Sequence, residues 1–237
     1  MTGPKTAAVI VAGGTGERLG RSGGKQLAPV LGKPVLSWTI AAFDAAPQVE
    51  LIVVVCHSER VEEFQRVAVD PLHLATPVLF APGGATRQES VASGLACLPP
   101  DVHTVLVQDG ARPLVTPALL GEALAAFRIA GADGLVVGYP AIDTLKVVAG
   151  NTILSTPDRS DYWAVQTPQI FSADTLVEAY AAAQEERFLG TDDASLVERA
   201  GGRVVVFCGP RDNIKVTVAE DLLFVEAALR FREGEQS

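Results

Sequence analysis

Apolar, β-branched runs recur along this chain, most of them unbroken by polar residues: 7–12 (AAVIVA), 50–56 (ELIVVVC), 77–81 (PVLFA), 103–108 (HTVLVQ), 133–138 (DGLVVG) and 203–208 (RVVVFC). A strand with one wet face alternates polar and apolar side chains. Runs this continuous predict strands covered on both faces, as in a parallel sheet flanked by helices. Helical segments are expected between them: 34–46 beginning at Pro34, 58–68 beginning at Ser58 with Glu62 in the first turn, then 86–98, 117–130, 173–187, 192–200 and 218–232. The alternation predicts an α/β fold built on one doubly wound, mostly parallel sheet. No composition shift, repeat or low-complexity tract divides the chain, so residues 1–237 read as a single domain.

One segment breaks the alternation. Residues 139–168 look like an excursion from the sheet, with LKVV and TILST flanking Ala149-Gly150-Asn151 as a hairpin turn. Thirty residues, 139 to 168, is long for a plain surface loop. An arm of this kind serves a partner subunit or an active-site wall, and its Ile142, Leu145, Val147, Val148, Ile153 and Leu154 present apolar surface to cover.

Composition narrows the function. At 237 residues, 48% hydrophobic and 20% charged, the chain is long and apolar enough for a sizeable core. No apolar run reaches the length of a membrane span. The first apolar run continues straight into a glycine loop with no cleavage pattern, so it reads as a first strand and not a signal peptide; a cytoplasmic protein is expected. Three separated cysteines, Cys56, Cys97 and Cys208, suit buried thiols better than a disulfide framework, and His57, His73 and His103 show no metal-ligand spacing. The net charge of −9 argues against a nucleic-acid binder. Residues 17–25 invert that balance, with Glu17 against Arg18, Arg21 and Lys25, which points to a small anionic ligand at a defined place.

That inversion sits in VAGGTGERLGRSGGKQ, residues 11–26, where six of sixteen residues are glycine. A loop after the first strand lies at the carboxyl edge of an α/β sheet, and glycine lets backbone N–H groups approach a phosphate. The dinucleotide fingerprint fails here, because Leu19 stands where its third glycine belongs and the second strand ends Val55-Cys56-His57 with no acid for a ribose. The P-loop pattern fails too: Leu19 replaces its first glycine and Gln26 its Ser or Thr. What remains is Gly14-x-Gly16-x-Arg18 with Lys25 seven residues on, a guanidinium and an ammonium around one anionic pocket, which suits a triphosphate.

Ala12-Gly13-Gly14-x-Gly16-x-Arg18 with Lys25-Gln26 resembles the signature loop of nucleotidyltransferases that join a sugar or polyol phosphate to a nucleotide. Further motifs follow in order: Gly83-Gly84 with Arg87 and Ser90; Asp109-Gly110-Ala111-Arg112-Pro113; Asp143-Thr144 with Lys146; Arg159; Gln166-Thr167-Pro168-Gln169; Thr191-Asp192-Asp193-Ala194-Ser195; and Asp212-Asn213-Ile214-Lys215-Val216-Thr217. Together, from residue 7 to about 225, they resemble the 2-C-methyl-D-erythritol 4-phosphate cytidylyltransferase family, whose Rossmann-like nucleotidyltransferase fold carries a protruding β-hairpin arm. Two positions depart from the family pattern: Gly24 where proline is usual before Lys-Gln, and Ala85 where an acid often follows the double glycine.

The resemblance implies transfer of a cytidylyl group from CTP to 2-C-methyl-D-erythritol 4-phosphate, with release of diphosphate, in the non-mevalonate isoprenoid precursor pathway. It implies Arg18 and Lys25 as catalytic cations, and Ala12, Gly13, Gly14, Gly16, Gly83, Gly84, Ser90, Asp109 and Gly110 around the nucleotide. Asp109, Arg112, Thr144, Arg159, Thr167, Thr191 and Lys215 would hold the polyol phosphate. Thr144 and Arg159 would act at a partner's site, in a homodimer joined through the 139–168 arm. Mg²⁺ would accompany CTP. Asp109 reads as a ligand to that ion, as an acceptor for a ribose or polyol hydroxyl, or as a turn-forming Asx residue; Ser90 reads equally well as an ordinary helix residue. Three rival functions remain at this stage: a ribitol 5-phosphate cytidylyltransferase, a non-catalytic nucleotide-sensing module on the same fold, and, more weakly, a dinucleotide-dependent oxidoreductase.

Overall fold

The computed structural model describes residues 5–14 and 24–235. The chain opens with strand β1 (Lys5–Val11), then a short hairpin of β2 (Pro29–Val30) and β3 (Lys33–Pro34), helix α1 (Val35–Asp44) and strand β4 (Leu51–Cys56). Helix α2 (Val61–Phe64), strand β5 (Val78–Pro82), helix α3 (Arg87–Leu95), strand β6 (Val102–Asp109), helix α4 (Pro117–Ala130) and strand β7 (Gly134–Pro140) follow. A second hairpin, β8 (Val147–Ala149) and β9 (Thr152–Ser155), precedes strand β10 (Trp163–Ser172), helices α5 (Ala173–Glu185) and α6 (Asp193–Arg199), strand β11 (Val204–Cys208) and helix α7 (Ala219–Glu235).

Seven strands form the main sheet in the order β11-β7-β10-β6-β1-β4-β5. Within this sheet, among the described residues, β10 alone runs antiparallel, paired with β6 on one side and β7 on the other, and the sheet's remaining ladders are parallel. The continuous apolar runs are explained by burial on two faces. Along β1, Ala8 and Ile10 pack with Leu36, Ile40 and Phe43 of α1 and Leu120 and Leu124 of α4. Ala7 and Val9, pointing the other way, pack with Val91 of α3 and Leu176 and Tyr180 of α5. The doubly wound, mostly parallel sheet read from the sequence is therefore the fold observed. Among the described residues, no helix is long and apolar enough to cross a membrane.

A third apolar cluster lies off the sheet and matters for the site. Val225 and Leu229 of α7 pack on Ala28, Val30, Val35, Ala111, Leu114 and Val216. Val216 N–H donates to the Ala111 carbonyl at 2.8 Å, and Arg232 holds the Leu114 carbonyl at 2.9 Å and Asp212 at 2.7 Å. The last helix thus straps residues 214–217 to the loop after β6.

Two sequence expectations are corrected. The 58–68 segment is not one helix: α2 is a four-residue core flanked by 3₁₀ turns and a π-turn from Ser58 to Leu72. The 139–168 arm is also shorter than its motif suggests. Tyr139 and Pro140 end β7, and residues 163–168 belong to β10 in the interior of the sheet. Reading the sequence for apolar runs misses β10 because Gln166, Thr167 and Gln169 are polar; all three are buried and hydrogen-bonded. Its ladder with β7 is interrupted between Val165 and Gln169, around Pro168, which has no N–H to give. What leaves the sheet is 141–162, carrying the β8–β9 ribbon, which turns at Gly150 with φ 55°.

Candidate active site

Strand order reverses at β1. The chain moves from β1 to β4 to β5 on one side, then starts β6 on the other, and a crevice opens beyond the carboxyl ends of β1 and β6. Val11 and Asp109 end these strands side by side in register. A cavity of about 370 Å³ occupies the crevice, lined by Val11, Gly13, Gly14, Lys25, Gln26, His57, Gly84, Ala85, Thr86, Arg87, Ser90, Asp109, Ala111 and Lys215. Gly16 and Arg18 lie outside the described residues.

The glycines divide by what a side chain would meet. A Cβ on Gly13 would find nothing closer than 3.8 Å, and one on Gly14 would touch only Gln26 Nε2 at 3.4 Å. The protein's own packing does not demand glycine there, so the bare backbone leaves room for a ligand. Gly84 and Gly110 differ. A Cβ on Gly84 would collide with Glu89, and one on Gly110 would lie 2.9 Å from Leu36 Cδ1 and 3.0 Å from the Val11 carbonyl. Gly110, Ala12 and Gly83 also spend their N–H groups on the carbonyls of Val11, Val55 and Cys56, at 2.9, 2.7 and 2.7 Å. These three shape the crevice and do not offer those amides to a guest. Ser90 is also engaged: its hydroxyl donates to the Thr86 carbonyl at 2.9 Å and accepts from Gly84 N–H at 3.1 Å. It braces the 83–86 loop at the wall of the cavity. Thr86 and Glu89 close a capping box at the start of α3, and Glu89 also accepts from the Ala85 amide at 2.6 Å.

Lys25 begins a one-turn helix, Lys25–Leu27, whose first two residues line the cavity. Gly24 before it has φ 76°, a backbone that proline cannot adopt, so the departure at this position is a different local conformation and not a silent exchange. Lys25 also faces Asp221 of α7. Burial pushes the Asp221 carboxyl up, but the Val218 and Thr217 amides, the Thr217 hydroxyl and the Lys25 charge bring it below the usual range.

Asp109 is the centre of the floor. Its carboxylate lies 2.9 Å from Lys215 Nζ, 3.5 Å from Arg112 Nε and 3.5 Å from Arg87 Nε. Burial alone would raise its pKa; Lys215, Arg87 and Arg112 outweigh that and lower it to about 2. The Asp109 N–H donates to Thr167 Oγ1 at 3.0 Å, so Thr167 fixes the Asp109 backbone. Arg112 donates to the Asn213 carbonyl at 2.7 Å, and Asn213 donates to the Thr167 carbonyl at 2.9 Å. Burial depresses the Arg112 guanidinium, opposed by Asp109.

Sequence reading quoted Arg87 and Asp193 as motif members but assigned neither a role. They form a bidentate pair, Nη1 to Oδ1 at 3.0 Å and Nη2 to Oδ2 at 2.7 Å, and the Tyr180 hydroxyl donates to the same carboxylate. Burial disfavours the Arg87 charge, but Asp193 and Asp109 more than restore it and raise its pKa. Burial and the neighbouring Asp193 charge raise the Tyr180 phenol, which stays a proton donor. These partners are 106 residues apart, and no local pattern announces the contact.

Asp109 is ringed by three cations, and among the described residues no group of three His, Cys, Asp or Glu side chains could hold a metal. Asp109 therefore does not fit a dedicated metal ligand; its surroundings suit an acceptor for a hydroxyl or an anchor for the cations themselves. Among the charged side chains that line the cavity, Lys25, Arg87 and Lys215 stand against Asp109, three positive to one negative, within a chain of net charge −9. Such a cleft attracts a polyanion.

Of the expected site residues, Ala12, Gly83, Gly110, Arg112 and Thr167 adjoin lining residues without lining the cavity, and Thr144, Arg159 and Thr191 are exposed outside it. Thr144 and Arg159 are exposed on the arm, where Arg159 donates to the Ile142 carbonyl at 2.6 Å. Thr191 is exposed in the loop before α6, beside Gly190, whose N–H is held by Gln88 at 3.0 Å.

Comparison with known proteins gives one consistent answer. The profile of the 2-C-methyl-D-erythritol 4-phosphate cytidylyltransferase family (IspD) matches residues 6–231. A protein of that name from Syntrophotalea carbinolica is 44% identical over 222 residues, covering 93% of this chain and 94% of its own. One from Caldanaerobacter subterraneus is 42% identical over 225 residues, covering 94% and 98%. Among solved structures, the Thermus thermophilus 2-C-methyl-D-erythritol 4-phosphate cytidylyltransferase superposes with a TM-score of 0.75 at 31% identity, covering 94% of this chain and 98% of that one. The 4-diphosphocytidyl-2C-methyl-D-erythritol synthase of Anaerococcus prevotii superposes with a TM-score of 0.84 at 26% identity, covering 96% and 97%.

Proposed function

The chain belongs to the 2-C-methyl-D-erythritol 4-phosphate cytidylyltransferase family, and from that premise we propose how this cleft carries out the reaction. The protein is a nucleotidyltransferase. It transfers the cytidylyl group of CTP to 2-C-methyl-D-erythritol 4-phosphate, giving 4-diphosphocytidyl-2-C-methyl-D-erythritol and diphosphate, in the isoprenoid precursor pathway.

A phosphate oxygen of the polyol substrate attacks the α-phosphorus in line, and diphosphate leaves. A phosphate monoester is already ionised near neutral pH, so no strong general base is needed. The difficulty is bringing two anions together and stabilising the charge that builds on the α-phosphoryl oxygens. The observation that carries the reading is that two lysines, Lys25 and Lys215, line one cavity with the bare Gly13-Gly14 backbone. Lys25 stands on the wall beside the bare Gly13-Gly14 backbone, and Lys215 stands on the floor at Asp109. Lys25, with Arg18, would neutralise the triphosphate; Lys215 would receive the second phosphate, positioned by the α7 strap. Asp109, held ionised and free of a metal, would accept a hydroxyl of ribose or polyol. A divalent ion such as Mg²⁺ would enter as part of the CTP substrate, screening its phosphates.

The arm would serve a homodimer. Ile153 and Leu154 are 59% and 62% exposed on a ribbon outside the main sheet, which is surface that a second copy would cover. Thr144 and Arg159 lie outside this chain's own cavity, which suits a role at the partner's polyol site. A nucleoside triphosphate substrate suits a cytoplasmic setting, and a net charge of −9 suits a small anionic substrate better than nucleic acid.

A diphosphate-release assay crossing the four nucleoside triphosphates with 2-C-methyl-D-erythritol 4-phosphate and ribitol 5-phosphate, with and without Mg²⁺, tests this reading. Turnover confined to CTP with methylerythritol phosphate supports it. Preference for ribitol phosphate, or CTP binding without turnover on either polyol, would replace it.

A further inference from the structure

We propose that Asp193 is a positioning residue of the nucleotide half of the cleft, acting through Arg87: it holds both terminal nitrogens of that guanidinium at the cavity wall, leaving only Nε to Asp109. The proposal rests on the nucleotidyl-transfer reading above.

The distances define the arrangement. Arg87 commits both terminal nitrogens to Asp193, at 3.0 and 2.7 Å, while its Nε only skims Asp109 at 3.5 Å. Asp193 is 0% exposed, and burying a carboxylate is costly unless donors surround it. Arg87 and the Tyr180 hydroxyl supply those donors. The loop that brings Asp193 in is fixed from two sides. Gln169, in the central strand β10, accepts from Ala194 N–H at 3.1 Å and donates to Asp192 at 2.7 Å. Gln88, the neighbour of Arg87 on α3, accepts from Gly190 N–H at 3.0 Å and donates to the Phe188 carbonyl at 3.0 Å.

Arg87 itself lines the cavity beside Gly84 and Ser90 and keeps a side-chain exposure of 29%, so it has N–H groups to spare for a guest. Take away the Asp193 charge and the nearest remaining anion is Asp109. Coulomb attraction would then draw Arg87 onto a carboxylate that already serves Lys215 and Arg112. The cleft would lose a cation from its nucleotide wall. Asp193 prevents this by outbidding Asp109 with two-pronged geometry.

A double-mutant cycle reads the coupling. Steady-state kinetics, with CTP and methylerythritol phosphate varied separately, would be run on Arg87→Gln, Asp193→Asn, Tyr180→Phe and the two double variants containing Arg87→Gln. Asp193→Asn should raise KM for CTP about tenfold and Tyr180→Phe about threefold, with KM for the polyol phosphate within about twofold. In the Arg87→Gln background neither change should cost more than about twofold further, because the group they act through is gone. Full additivity in both backgrounds, or equal losses for both substrates, would overturn the proposal, since a residue that merely stabilises the fold has no reason to favour one substrate. If Asp193→Asn does not fold, the volume-conserving Tyr180→Phe cycle decides on the same criterion. A wild-type protein with no turnover would instead overturn the function on which the proposal rests, and CTP titrations of the same variants would then read the coupling through affinity.

Discussion

Gly13 and Gly110 follow the paired ends of β1 and β6 and do opposite jobs. Gly13 has room for a methyl group within the protein and Gly110 does not. Gly13→Ala should therefore leave thermal stability near wild type and weaken CTP binding, whereas Gly110→Ala should cost about 1–3 kcal/mol in a urea melt by overpacking Leu36. The motif marks both positions as nucleotide glycines; only the three-dimensional neighbourhood separates a ligand's space from a side chain's. Asp109 yields a pH test. Its carboxyl is depressed from 3.8 in the unfolded chain to about 2 in the fold, so its contribution is complete above pH 4 and is lost as pH falls from about 4 to about 2. That difference corresponds to about 2 kcal/mol. Asp109→Asn should flatten this part of the stability profile relative to wild type; an unchanged slope between pH 4 and 2 would mean the three cations do not stabilise the charged form. Lys25, Ser90 and Asp109 were legible as candidates because each sits in a short motif that ends a strand or opens a helix, and Lys215 because its motif stands in the connection before the last helix. The Arg87–Asp193–Tyr180 contact was not, because it joins three helices through tertiary packing alone.

At the scale of elements, the parallel strands could be read from the sequence because burial on both faces removes the polar alternation. Strand β10 could not, for a reason tied to function. It crosses beneath the site, and its Gln166, Thr167 and Gln169 are buried to brace Asn213, Asp109 and the α6 entry loop. A central strand spent on support looks like a loop in sequence. Gln169→Leu is the matching experiment. It removes the acceptor for Ala194 N–H and the donor to Asp192 while keeping bulk, and should cost about 2 kcal/mol in urea unfolding. If Gln169 were only filling space, the loss would fall within experimental error. The α7 strap was legible as a helix, but its purpose was not: Val225 and Leu229 carry no motif, yet their packing against Val216 fixes the residue next to Lys215.

On the scale of the whole molecule, the arm and the cleft make separable claims. If the 141–162 excursion joins two copies, Ile153→Asp should shift sedimentation from dimer to monomer. Mixing inactive Arg159→Ala and Lys25→Ala proteins should then restore part of the activity, through hybrid dimers that carry one intact site; no recovery after confirmed subunit exchange would count against a shared site. The existence of the arm was legible from length and turn residues, but its far boundary was hidden by the polar composition of β10. The central claim is that the crevice beyond β1 and β6 holds the triphosphate. Amide hydrogen exchange with and without CTP and Mg²⁺ maps this over the entire chain at once. Protection should concentrate in residues 11–14, 24–27, 83–90 and 109–112 and leave 141–162 unchanged until polyol phosphate is added. Protection centred on another surface, with these four segments unaffected by CTP, would contradict the account.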